Sequence, residues 1–378
     1  MRVLAIEPYY GGSHQAFLEQ LVAHSCHQWQ CVTLPARHWK WRMRSAPAEL
    51  LNRLAESLDG QPLPDVVWGS DMLDLPTWLG LAIKDSRIDN GLLNRPLVMY
   101  FHENQWAYPP APDSRVDHHF AFTNLLSAQA ADHCWFNSRY NRDSLLERAQ
   151  AFVKRMPDSR HSIDLQAVEQ KSVIMPPGFT MPSLTVPSFT LSDTPMHQTA
   201  ASSDQPITIG WVARWEHDKR PDRFQQLLGL LTKAEIDFQL ILMGQRGKTA
   251  EWVDPIEQQY RAQILFNGYA SSEADYWRWL HQMDVVVSTA DHEFYGIAIR
   301  QAIWAGAVPV TPNALSYPEF VPDTLCYESL SEAAEIINRL QSTNERQSFA
   351  QQALAAIENE TIESVTHRMD RELERIAR

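Results

Sequence analysis

The sequence predicts an α/β chain of two doubly wound domains facing across a cleft. Its 378 residues exceed what one core usually fills and suit two. Short apolar runs alternate with amphipathic stretches in both halves, the mark of parallel strands covered by helices on both faces. A stretch rich in Pro, Ser and Thr, without any period, separates the halves. The expected limits are an N-terminal domain over 1–180, a linker over 181–205, a second domain over 206–340 and C-terminal helices over 341–378.

In the first half Arg2–Ile6, Gln30–Leu34, Asp65–Trp68, Pro96–Phe101, Cys134–Phe136 and Val173–Met175 read as strands. Gln15–His24, Ala48–Leu58 and Asp143–Val153 read as helices. After the linker, Ile207–Val212, Phe238–Met243, Ile264–Asn267 and Val285–Ser288 read as strands, with helices from Asp222 and over Ile297–Ala305. Beyond about Glu328 only helical patterns remain. Folds of this kind bind ligands at the carboxyl ends of their strands.

Composition narrows the class. Apolar residues make up 44% and charged residues 21%, within the globular range. Cys26, Cys31, Cys134 and Cys326 are scattered without a CxxC pair, which excludes a disulfide framework and a cysteine zinc site and suits a reducing compartment. The opening MRVLAIEPYYGG reads as a strand rather than a signal peptide, and no apolar run approaches the roughly 20 residues of a membrane span. A cytoplasmic protein is expected. The net charge of −13 is uneven: residues 1–180 hold 17 Lys/Arg against 19 Asp/Glu, so most of the excess lies in 181–378. An anionic partner would therefore meet the N-terminal half.

Candidate chemistry sits at strand ends. Glu7-Pro-Tyr-Tyr-Gly-Gly-Ser-His14 follows the first strand and opens a helix. Gly11 and Gly12 let backbone approach a ligand and Ser13 can cap the helix, although a plain tight turn also uses a Gly pair. The motif is not GxGxxG, so no dinucleotide site is indicated. Phe101-His102-Glu103-Asn104-Gln105 ends the run PLVMYF; His102 can bond a sugar hydroxyl, and Glu103 or Asn104 can orient an acceptor. Arg214 and Lys219 follow ITIGWVA and place two cations where a diphosphate could be clamped as it departs. Asp291-His-Glu293-Phe294-Tyr295-Gly296 joins DVVVS to a helix that carries Gln301. Gly296 lets helix amides reach a phosphate, and Glu293 either caps the helix or serves the ligand.

Arg37-His-Trp39-Lys40-Trp41-Arg42-Met-Arg44 carries four Lys/Arg, one His and no acid. Cations for phosphates and indoles for unpaired bases suit RNA, and a basic surface turn with locally packed tryptophans has the same composition. A second basic excess covers Arg139–Arg160, with six Lys/Arg against three Asp/Glu. The pairs His24/His27 and His118/His119 lack companions at metal spacing.

The second half resembles family 4 of the retaining glycosyltransferases. The resemblance rests on Arg214 with Lys219, the loop around Gly244, the Asn267-Gly268-Tyr269 turn, Glu293 to Gln301, and Pro-Val-Thr-Pro at 309–312. It implies the GT-B fold of two Rossmann-like domains, with the donor held by these residues together with Phe294, Tyr295 and Gly296. EPYYGGSH, LPARHWKWRMR, SDMLDLPTWLGL, FHENQWAYP and FNSRYNRDS resemble the tRNA-queuosine alpha-mannosyltransferase family. That likeness implies GDP-mannose as donor and the queuosine base of a tRNA as acceptor. Acceptor contacts are then expected from Arg37, Trp39, Lys40, Trp41, Arg42, Arg44, Glu103, Asn104 and Arg139, and donor contacts also from Gly11, Gly12 and Ser13.

No two aspartates are separated by a single residue, the spacing by which many sugar transferases hold a divalent ion, so neither a metal nor a cofactor is expected beyond the nucleotide sugar. Family 4 places a second glutamate eight positions after the first; here that position is Gln301. The alternatives are another sugar donor, a lipid or saccharide acceptor, or a silent RNA- or nucleotide-sugar-binding protein, for which Gln301 is the best argument.

Overall fold

The computed structural model describes residues 1–58, 60–109, 117–158, 160–181, 205–245 and 254–378. Most of the expected linker, 182–204, lies outside the described residues. The chain divides into two compact units, Met1–Gly178 with Ile362–Arg378, and Phe179–Thr361.

The first unit is built on β1 (Arg2–Tyr10), β2 (Gln28–Pro35), β3 (Val66–Ser70), β4 (Leu97–Phe101), β5 (His133–Phe136) and β6 (Ser172–Ile174). They form a parallel sheet in the order β2-β1-β3-β4-β5-β6. The second holds β7 (Ile207–Val212), β8 (Phe238–Met243), β9 (Ile264–Gly268), β10 (Val285–Val287), β11 (Val308–Pro312) and β12 (Cys326–Tyr327). These are also parallel, in the order β12-β11-β10-β7-β8-β9. Both are Rossmann-like sheets. The winding reverses between β1 and β3 in the first and between β7 and β10 in the second. A crevice opens at such a reversal because the connections leave in opposite directions.

Alternation along the strands explains the layers. Leu4, Ile6, Val67, Met99 and Phe101 pack on one face of the first sheet, and Val3, Ala5, Val66, Trp68, Val98 and Tyr100 on the other. The second face is covered partly by the helix Ile362–Ile376, through Val365, Met369, Leu373 and Ile376. Its buried positions recur at three- and four-residue steps, which gives one apolar stripe on an otherwise charged helix. The helices expected over 341–378 are thus shared: Thr343–Ile357 stays with the second unit and Ile362–Ile376 returns to the first.

Two boundaries move. β1 runs on to Tyr10, with a register shift between Glu7 and Tyr10, so Glu7 is a fully buried strand residue rather than the first of a loop. The helix expected from Ala48 begins at Trp39 and takes in most of the basic segment, with Pro47 inside it. Met43, Ala46, Pro47, Leu50, Leu51 and Leu54 bury one face, and that stripe outweighs the proline's lost hydrogen bond. Among the described residues, no helix is long and apolar enough to cross a membrane.

Leu373 is fully buried under the first sheet. Leu373→Ala should destabilise that unit by about 2–5 kcal/mol, seen as a lower midpoint in denaturant unfolding followed by a probe in residues 1–178. An unchanged midpoint would mean that the helix is a dispensable cover.

Candidate active site

In the second unit the loops after β7 and β10 meet at the point where the winding reverses. Past β7 the chain makes a short 3-10 turn, His217–Lys219, and leaves it through Arg220 at φ +52°. Thr289, beyond β10, donates its hydroxyl to the carbonyls of Lys219 (2.9 Å) and Arg220 (3.1 Å). The Asp291 amide donates to the Asp218 carbonyl at 2.8 Å. These bonds tie the two loops together before any charged side chain acts.

Lys219 is buried, with 9% of its surface exposed. Its ammonium donates to the His292 carbonyl at 2.6 Å and to Glu293 Oε2 at 3.3 Å, and lies 3.5 Å from Asp218 Oδ2. Burial works against charge on Asp218, but the His292 ring beside it and the Lys219 ammonium outweigh that and hold it near 2. Glu293 is subject to the same opposition. Burial would raise it; Lys219, the Gly296 amide (3.0 Å) and the Tyr295 amide (3.4 Å) bring it below the ordinary carboxylate range. One Glu293 oxygen accepts from the Tyr295 and Gly296 amides just before the helix Ile297–Trp304, and the other accepts from Lys219. Gly296 enters that helix at φ +78°, a left-handed conformation that favours glycine. Arg214 stands at the surface beside Glu216, at 3.5 Å.

Around this centre the remaining donor candidates divide. A Cβ on Gly244 would stand 1.7 Å from the Ala213 carbonyl oxygen, so only glycine lets the ends of β7 and β8 approach this closely. Asn267 donates to Glu257 at 2.6 Å, Gly268 has φ +149°, and Tyr269 is 76% exposed just beyond β9. Gln301 accepts a hydrogen bond from the Tyr276 hydroxyl at 2.8 Å. Phe294 and Tyr295 turn inward: Phe294 packs edge-on to His292, and the Tyr295 hydroxyl donates to Glu360 at 3.0 Å while its ring lies over Arg300. Their side chains leave the expected donor set, and only their backbone remains available.

In the first unit the ends of β1, β3 and β4 gather a buried polar cluster. Glu7 Oε1 accepts from the Tyr9 amide (2.7 Å) and the Ser70 hydroxyl (3.0 Å), and its Oε2 lies 3.3 Å from His14 Nδ1. His14 lies face to face with His102, ring centres 4.0 Å apart and tilted by 38°. Asp71 Oδ1 accepts from the His102 amide at 3.0 Å. Burial disfavours charge on His14, yet Glu7 overrides it and pushes the imidazole up to about 9. Burial and the neighbouring His14 charge take His102 well below its ordinary range. Burial raises Asp71, with His14 opposing it.

Other N-terminal candidates are placed as follows. Gly11 is the cap of the helix Gly12–His24, with no side-chain cap, and Gly12 has φ +55°. Ser13 is exposed inside the helix and caps nothing, because the helix begins before it. Asn104 is fully buried; its amide nitrogen donates to the Asn141 carbonyl and side chain and to Ser144, and its oxygen accepts from Ala107. That removes it from the acceptor set, whereas Glu103 remains half-buried and bonded to Gln105. Lys40 lies 3.7 Å from Asp117, Arg42 3.0 Å from Glu49 and Arg44 3.8 Å from Asp74. Acids distant in sequence thus partly balance the segment. Trp39 packs on Phe120, while Trp41 is 69% exposed; Arg37 and Arg139 are exposed.

Sequence reasoning missed Asp71, Asp218 and His292, and quoted Glu7 and His14 without a role. Asp71 directly follows β3, and Asp218 and His292 lie in the loops after β7 and β10; that placement was the available signal. Glu7, His14 and His102 have ligand atoms close enough to share an ion, as do Cys26, His27 and Glu374. The His14 and His102 rings meet by their faces, however, which does not direct two in-plane lone pairs at one point, and Nδ1 of His14 is engaged by Glu7. The second group is mostly exposed and lies away from the ends of β1, β3 and β4.

Residues 2–179 match the N-terminal domain family of the tRNA-queuosine alpha-mannosyltransferases, and residues 193–355 match the glycosyl transferases group 1 family. A Drosophila melanogaster tRNA-queuosine alpha-mannosyltransferase is 30% identical over 332 residues, 86% of this chain and 83% of that protein. Among solved structures, Anabaena HepE in complex with UDP superposes with a TM-score of 0.68 at 14% identity, over 99% of this chain and 100% of that one. The sucrose-phosphate synthase of Thermosynechococcus elongatus gives 0.69 at 13% identity, over 100% and 99%. Those likenesses carry the fold alone, whereas the sequence relationship carries more: the chain is a glycosyltransferase of GT-B fold and belongs to the tRNA-queuosine alpha-mannosyltransferase family.

Proposed function

We propose that the chain transfers mannose from GDP-mannose to the queuosine base of a tRNA, with retention at the anomeric carbon and without a divalent ion or other cofactor. The observation that carries this reading is the Lys219–Glu293 pair at the winding reversal of the second sheet. Arg214 and Lys219 meet the diphosphate of the donor, assisted by the first amides of the helix Ile297–Trp304. As the bond from the anomeric carbon to the diphosphate breaks, these groups take up the charge that develops on the leaving oxygen. The acceptor hydroxyl bonds to the same face of the sugar and passes its proton to the departing diphosphate. Both carboxylates beside Lys219 are committed to it, which leaves no carboxylate there for a covalent sugar intermediate. In the first unit, His102 accepts a hydrogen bond from a substrate hydroxyl. Gln301 is a ribose contact whose amide oxygen is already oriented by Tyr276.

Lys219→Ala should remove about 2–4 kcal/mol of transition-state stabilisation, mostly as lower kcat. Turnover equal to that of the unaltered enzyme would remove the cation from the mechanism. Transfer should persist in excess chelator; complete loss, restored by manganese or magnesium, would overturn the metal-free reading. For the acceptor, Trp41→Ala should weaken tRNA binding by about 1–3 kcal/mol through lost stacking. Replacing Lys40, Arg42 and Arg44 together should weaken it further and flatten its salt dependence, with GDP-mannose binding unchanged. Undiminished modification of queuosine-tRNA by both variants across a range of salt would place the acceptor surface elsewhere.

A further inference from the structure

Nothing so far gives His14 a task, yet it is one of the most constrained side chains in the first unit. It sits at the first turn of the helix Gly12–His24, buried, with Glu7 of β1 on one side and the His102 ring on the other. A Glu7–His14 ion pair is costly to bury, and Glu7 is made tolerable only by the Tyr9 amide and the Ser70 hydroxyl that complete its bonding. His102 has the opposite character. Its backbone is fixed at both ends, the amide on Asp71 and the carbonyl accepting from Asn137 Nδ2 at 2.6 Å. Its ring is held by packing alone: the face of His14, the edge of Phe17 at 5.1 Å and the ring of Tyr100 at 4.7 Å. The ring nitrogen Nε2 is shut away without a partner, which leaves Nδ1 as the nitrogen a substrate hydroxyl can reach.

We propose that His14 is a positioning residue: as an imidazolium held by Glu7, it supports the His102 ring from below and keeps that ring neutral, so that His102 accepts a hydrogen bond from the substrate. The inference rests on the proposed role of His102 and adds the device that maintains it. A second positive charge with its ring centre 4.0 Å from the first would be buried and repelled by it, whereas the neutral ring keeps its one proton on the enclosed Nε2 and leaves the Nδ1 lone pair to accept. The charged or titratable groups facing the pair are Glu7 and Tyr9 from β1, Asp71 after β3, and Tyr100 and Glu103 at the end of β4. The acids among them act on His14, which raises it and lets it exclude charge from His102.

The test is the protonation of each ring, read by nitrogen and carbon NMR of histidine-labelled full-length protein. At pH 7 His14 should carry protons on both ring nitrogens and His102 on one. In His14→Gln the His102 titration should move up by at least about one pH unit, toward the ordinary 6.5. The acidic limb of kcat/KM for glycosyl transfer should move up with it. A neutral His14 at pH 7 in the unaltered protein overturns the proposal even if the variant fails to fold. So does an unmoved His102 titration in folded His14→Gln, or a pH profile that stays put while the ring titration moves. Absence of transfer to queuosine-tRNA by the unaltered enzyme would instead count against the acceptor reading, because the ring titrations are measured without substrate.

Discussion

Every residue of β3 and β4 is buried, and a side chain with an unmet hydrogen bond inside such a strand costs about 1–3 kcal/mol. Parallel strands covered on both faces consequently push their chemistry to the carboxyl ends, where a loop can supply partners. The placement of the candidate site residues follows from that constraint. Asp71, His102, Lys219 and Glu293 each lie a few residues past a strand, and Glu7, the exception within a strand, sits where β1 loses regular register.

Both units resolve the constraint with one buried acid–base pair at the winding reversal, but with opposite emphasis. In the second unit Glu293 and Asp218 surround one lysine, so a cation is fixed with its charge balanced. In the first unit Glu7 fixes a histidine, and the beneficiary is the uncharged ring stacked on it. Neither pair adds much net stability, because desolvation offsets the attraction. Their value lies in having each group oriented before substrate arrives.

How much of this was legible in the sequence depended on how local its cause was. β7 and β8 follow from apolar runs broken only at Thr208, Gly210 and Gln239, and their ends were located by position alone. The start of the helix Trp39–Leu58 was hidden, since a segment with four cations and an internal proline reads as a turn until its buried stripe is known. Side-chain direction was hidden too. Asn104, Phe294 and Tyr295 occupy the right loops but face inward, toward Asn141, His292 and Glu360, partners that no spacing rule connects to them. The acids beside Lys40 and Arg44 come from 77 and 30 residues away, so the segment looked more cationic alone than it is in the fold.

The return of Ile362–Ile376 to the first sheet has a consequence for how the chain is made. Val3, Ala5, Trp68 and Tyr100 are made well before the helix that covers part of their face. All of Phe179–Thr361 must be translated in between, which at typical elongation rates of about 5–20 residues per second leaves the part of that face under the later helix waiting roughly 10–40 s. The nascent first unit is therefore a natural client for a chaperone that shields aromatic surface. A chain released before Ile362 would carry both sets of candidate site residues and leave part of one side of its first sheet uncovered.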